Sequence, residues 1–134
     1  MILFNHHQHK LSLSALWEAI AWGQVVFIVW AGLVSVGTGV DIAFFDKAMH
    51  FLTYFIAAFW FTGLYKRRFL VYVVAGLILL GIGVEFLQGL TDYRTSEFMD
   101  IVANALGVFA GGFSGAHAGA RVFARMDNAL SKTV

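Results

Sequence analysis

The chain has 134 residues, of which 60% are hydrophobic and only 13% charged, with a formal net charge of +1 and a mean hydropathy of +0.77. A soluble domain carries about twice that charged fraction, so an ordinary water-soluble globule is excluded. Basic residues confined to short flanks give no nucleic-acid-binding face, and the absence of cysteine removes disulfides, metal–thiolate sites and a thiol nucleophile.

The first segment is polar. His6, His7 and His9 could bind a metal, but in a flexible tail they read as incidental. Four apolar runs follow, at about 16–36, 48–65, 69–90 and 101–120. Each is close to the roughly 20 residues that cross a hydrocarbon core as a helix. None alternates with period two, so barrel strands are a poor alternative, and the first run is too long for the apolar part of a cleaved signal peptide. The lack of proline argues against Pro-kinked helices and leaves glycine as the residue that can loosen one. The expected fold is all-α: a single domain over 1–134, a polytopic membrane protein built as a four-transmembrane-helix bundle. Trp17, Trp22, Trp30, Tyr65 and Tyr72 fit an aromatic belt at the membrane interfaces, and Glu18 is expected to reach the inner interface.

Charge sets the orientation. Lys10 precedes the first helix, Lys66, Arg67 and Arg68 join the second and third, and Arg121, Arg125 and Lys132 follow the fourth. The remaining loops hold Asp41, Asp46 and Lys47, then Asp92, Arg94, Glu97 and Asp100. The positive-inside rule predicts both termini in the cytoplasm and the two acidic loops outside.

A polar layer emerges from spacing. Asp46, His50 and Tyr54 are four apart and share a face of the second helix. Glu85 and Gln88 share a face of the third. Glu97, Asp100 and Asn104 share a face of the fourth, continued inward by Gly107 and Gly111. With a rise of 1.5 Å per residue, His50 and Asn104 lie about 6 Å, and Glu85 about 7 Å, inside the outer ends of their helices. Singly, Asp46, Arg94 and Glu97 fit helix caps or solvated loop residues, and His50 and Asn104 fit interhelical hydrogen bonds. Glu85 stands inside an apolar run with no local partner, where an ionised group is costly. Three helices converging on one depth point to a site. Gly107, Gly111, Gly115 and Gly119 recur every four residues, a ladder for close helix packing within the chain or, alternatively, in a homodimer through the fourth helix.

The motifs Asp46-Lys47-x-x-His50-x-x-x-Tyr54, Glu85-x-x-Gln88 and Arg94-x-x-Glu97-x-x-Asp100-x-x-x-Asn104-x-x-Gly107 resemble the VanZ-like family of small membrane proteins. The resemblance covers about 46–112; the first helix and the tails contribute almost nothing to it. Family members often carry a proline in the loop before the arginine, where this chain has Thr91, Asp92 and Tyr93. The resemblance implies a multi-pass protein of the bacterial cytoplasmic membrane, and the namesake confers low-level resistance to the glycopeptide teicoplanin.

Three functions compete. The polar layer could recognise or shield a cell-envelope lipid, cell-wall precursor or glycopeptide at the outer leaflet, with Lys47 and Arg94 meeting phosphate or carboxylate. It could serve an intramembrane enzyme acting on a lipid head group through water or a metal, with His50, Glu85 and Asp100 as catalytic candidates. The weakest reading is a proton-coupled carrier using Glu85, since no inverted repeat is visible. No cofactor is implied. The expected partners are membrane lipids, with the first reading favoured.

Overall fold

The computed structural model describes residues 11–34, 43–92 and 97–132. Every regular element among them is helical: α1 (Ser14–Leu33), α2 (Ala43–Leu64), a 3-10 turn (Arg67–Phe69), α3 (Leu70–Gln88), α4 (Phe98–Ser114), a π-helical turn (Gly115–Gly119) and α5 (Ala120–Leu130). Three stretches are long and apolar enough to cross a membrane: Ser14–Leu33, Arg67–Gln88 and the continuous Phe98–Leu130.

Two boundaries differ from the sequence reading by five residues or more. α2 starts at Ala43, about five residues early, and takes Asp46 into its first turn, where a carboxylate is favoured by the positive end of the helix dipole. The last helix runs on to Leu130, well past residue 120. Its extension α5 is amphipathic, with Phe123 and Asp127 buried and Arg121 and Arg125 exposed. α2 can be less apolar than the other long helices because much of it faces protein: Tyr54, Ala57, Ala58, Phe61, Thr62 and Leu64 are all buried. Residues that face protein need not be lipid-soluble. α3 carries Val71, Tyr72, Leu79 and Phe86 on its exposed side, as a lipid-facing helix does.

Contacts give the directions. Gly107 meets Phe51, Gly111 meets Phe55, Gly115 meets Phe59 and Gly119 meets Gly63, so α2 and α4 run parallel. Gly81 meets Asn104 while Gly112 meets Val74, so α3 is antiparallel to α4. α1 has Trp17 beside Trp60 at one end and Gly32 against Val84 at the other, so it runs with α3. Consecutive helices therefore alternate. The glycine ladder faces the chain's own α2. The π turn falls where Gly119 comes closest to Gly63, at the end of that ladder.

Trp17 turns into the bundle. It is 1% exposed, with its ring edge-on to Phe123 at 5.7 Å, whereas Trp22, Trp30 and Tyr72 are 58%, 56% and 74% exposed. The indole Nε1 of Trp17 donates to Asp127 Oδ1 at 2.8 Å. The same carboxylate accepts the backbone N–H of Leu13 at 2.9 Å and of Ser12 at 2.7 Å. A residue of α5 thus caps α1, which has no side-chain cap of its own.

Candidate functional site

Because α2 and α4 run parallel, both N-termini lie at one end of the bundle, and the C-terminus of α3 meets them there. Two positive dipole ends favour carboxylates at that end, and Asp46 and Asp100 occupy the first turns of α2 and α4. The Lys47 ammonium crosses between the helices, donating to Glu97 Oε2 at 2.7 Å and to Asp100 Oδ1 at 2.9 Å. Beside it, the Glu97 carboxyl, just before α4, is held below the usual carboxylate range by that hydrogen bond and by the lysine's charge.

His50 is the hub. Its Nδ1 lies 3.1 Å from Asn104 Oδ1; an amide oxygen only accepts, so Nδ1–H is the donor. On the same side, Glu85 Oε1 is 3.8 Å from Nδ1, longer than a hydrogen bond. On the other side, Nε2 lies 3.8 Å from Asp46 Oδ2 and 4.0 Å from Asp100 Oδ2. Glu85 is 1% exposed and turns toward His50, away from lipid. Exposure is graded, from 47% for the Asp46 side chain through 14% for His50 to 6% for Asp100. The layer is open at its rim and closed at its floor.

Tyr54 lies one turn inward of His50, buried, and a Cβ added at Gly81 would lie 3.4 Å from its ring and 3.3 Å from Asn104. Gly81 went unnoticed in the sequence, although it precedes Glu85 by four residues and so shares its face. Gln88 turns elsewhere: its Nε2 donates to Gly32 O at 2.8 Å, tying α3 to α1. Arg94 lies outside the described residues. The structure thus brings Asp46, Lys47, His50, Tyr54, Glu85, Glu97, Asp100 and Asn104 together, while Gln88 acts as an interhelical tie. Lys47 is already bonded to two carboxylates, so an incoming phosphate would have to compete for it.

The chemistry available is a histidine with one nitrogen fixed as donor and the other facing two carboxylate oxygens. Such a group can transfer a proton, hold a cation, or bind a polar head group at the rim. Among curated proteins, an uncharacterized protein of Schizosaccharomyces pombe is 32% identical over 88 residues, covering 62% of this chain and 54% of that protein. The chain therefore spans about half the length of the curated relative it matches. No solved structure matches it. The family model described as VanZ/LLP1 matches residues 3–115. That match takes in α1 and so extends well before Asp46, where the motif resemblance began. Since it covers most of the chain and every helix that builds the polar layer, the chain belongs to the VanZ/LLP1 family.

Proposed function

We propose that the protein crosses the membrane four times with both termini in the cytoplasm, and that its polar layer engages the polar head group of a membrane lipid at the opposite face. Packing supports the fourth span. α2 lies alongside α4 over its length through the glycine ladder, so a slab that encloses α4 encloses α2 as well. Basic flanks support the orientation. Cysteines placed at Asp41 or Asp92, in a chain that has none of its own, should react with a membrane-impermeant maleimide in intact spheroplasts. A cysteine at Lys132 should react only after lysis. The reverse pattern would move the layer to the cytoplasmic face.

The observation that carries the reading is the graded layer: a rim at Asp46 and Lys47, His50 at the mouth, and Glu85 at the floor, all within an apolar body. Retaining ionisable groups at that depth costs about 2.5 kcal/mol or more apiece at the bilayer centre and less toward the interface, and a polar ligand offsets that cost. A lipid head group suits the family better than a bacterial glycopeptide, since a relative occurs in fission yeast. We place the protein in the bacterial cytoplasmic membrane on the motif resemblance. Glu85→Gln, His50→Ala and Asp100→Asn should each lower retention of a co-purifying lipid class at least fivefold by mass spectrometry, at unchanged membrane abundance. Identical lipid profiles in all three variants would leave the layer a structural feature. A second reading, an enzyme acting on the head group, draws on the donor atoms of Asp46, His50 and Asp100, which lie within 4.8 Å of one another.

A further inference from the structure

We infer that Asp46, His50 and Asp100 hold a divalent cation of the Mn2+ or Zn2+ type at the mouth of the layer, where it presents a positive charge to a lipid phosphate; the phosphate step rests on the head-group reading above. The argument begins with the imidazole. Asn104 Oδ1 accepts the Nδ1–H hydrogen bond at 3.1 Å, so in the neutral imidazole the Nε2 electron pair faces Asp46 Oδ2 and Asp100 Oδ2 at 3.8 and 4.0 Å. These distances are too long for hydrogen bonds. Two anionic oxygens facing a lone pair across such a gap repel it, and a cation between them reverses the sign of all three interactions.

The donor set fits. One imidazole nitrogen and two carboxylate oxygens suit Mn2+ or Zn2+, bound at about 2.0–2.2 Å. Donors at that distance from a common centre sit roughly 3.0–3.5 Å apart in octahedral or tetrahedral order. The three atoms, all within 4.8 Å of one another, need to close by at most about 1.3–1.8 Å at their widest. Asp46 stands at the rim, its side chain 47% exposed. Asp100 uses Oδ1 for Lys47 and leaves Oδ2 toward the centre, while the Nδ1–H···Asn104 bond is the outer-shell contact that orients a ligating histidine.

Independently, the Tyr54 hydroxyl points to an additional occupant of the layer. Tyr54 is 3% exposed, its hydroxyl has no hydrogen-bond partner among the described residues, and it lies one turn inward of His50 within electrostatic range of Glu85. A buried hydroxyl is ordinarily satisfied; water or a ligand oxygen on the inner side of the cation would satisfy this one. Among the described residues, the layer's carboxyl groups Asp46, Glu85, Glu97 and Asp100 outnumber its fixed cation Lys47, so the layer favours a cation.

The test uses the full chain in detergent, with His6, His7 and His9 replaced by alanine so that the tail contributes no site. Mn2+ is titrated and the free ion followed by its electron paramagnetic resonance. One Mn2+ per chain is expected, displaced by Zn2+. The dissociation constant should rise at least tenfold in His50→Ala and in Asp100→Asn, both with helical circular dichroism unchanged. Asp92→Asn, which removes an exposed carboxylate from the same end, should bind as the parent does. Absence of stoichiometric binding, or binding that survives both ligand variants, overturns the inference. Lipid retention measured after chelation separates the two claims. Retained lipid without bound Mn2+ sinks the cation alone, and bound Mn2+ without retained lipid sinks the head-group reading while the ion site stands.

Discussion

Gly111→Leu is expected to lower the amount of protein in the membrane at least fivefold, while Gly83→Leu leaves it near the parental level. A Cβ at Gly111 would strike the Phe55 carbonyl and lie 2.8 Å from Phe55 Cα, whereas nothing lies within 4 Å of one at Gly83. The obstacle at Gly111 is backbone, which cannot rotate away as a side-chain tip can. Overpacking a side-chain core costs about 1–3 kcal/mol; forcing two parallel helices apart along a shared ladder exceeds that range, because Gly107 and Gly115 lose their contacts with α2 as well. Small residues that allow close backbone approach supply much of the association energy between helices in lipid. Gly111→Ala should fall between parent and leucine variant. Immunoblots of membrane fractions normalised to message level give the comparison. Equal abundance of Gly111→Leu and Gly83→Leu would mean that α2 and α4 do not meet through this face.

The second large effect is expected at Asp127, far from the polar layer. Asp127→Ala removes the acceptor for two backbone N–H groups at the start of α1 and for the Trp17 indole. Loss of a helix cap alone costs about 0.5–2 kcal/mol. Leaving the indole N–H of a residue 1% exposed without a partner adds about 1–3 kcal/mol. The sum of about 1.5–5 kcal/mol is a large share of the 5–15 kcal/mol that typically holds a domain together. Asp127→Asn keeps one acceptor oxygen and should cost less than half as much. Thermal unfolding in detergent, followed by tryptophan fluorescence, should rank the parent above the asparagine variant and the asparagine variant above alanine. A melting midpoint for Asp127→Ala within about a degree of the parent would show that the cap is dispensable. Neither variant should alter Mn2+ binding while the protein is folded, because the cap lies at the opposite end of the bundle.

Composition and spacing were enough to read the membrane as solvent, the helices that cross it, and the polar groups near their ends. These are local properties: a bilayer requires each spanning segment to satisfy its own backbone, so long apolar runs must be helical, and a fixed rise per residue turns position into depth. The faces of α2 and α4 were legible for the same reason, since spacings of three and four residues select one side of a helix. Only the tertiary structure decided which faces meet. The parallel run of α2 and α4 set the glycine ladder against the backbone of Phe51, Phe55 and Phe59, and it brought Lys47 to Glu97 and Asp100 across some fifty residues of sequence. Gln88 was read as part of the layer by its spacing from Glu85 and turned instead to Gly32, because a helix face is wide enough to serve two neighbours. Asp127 gave no signal at all: it is one carboxylate on a short amphipathic helix, and its partners at Ser12, Leu13 and Trp17 lie more than a hundred residues away. Periodicity carries no information about such a pairing, which comes into being only when chain ends remote in sequence are packed side by side.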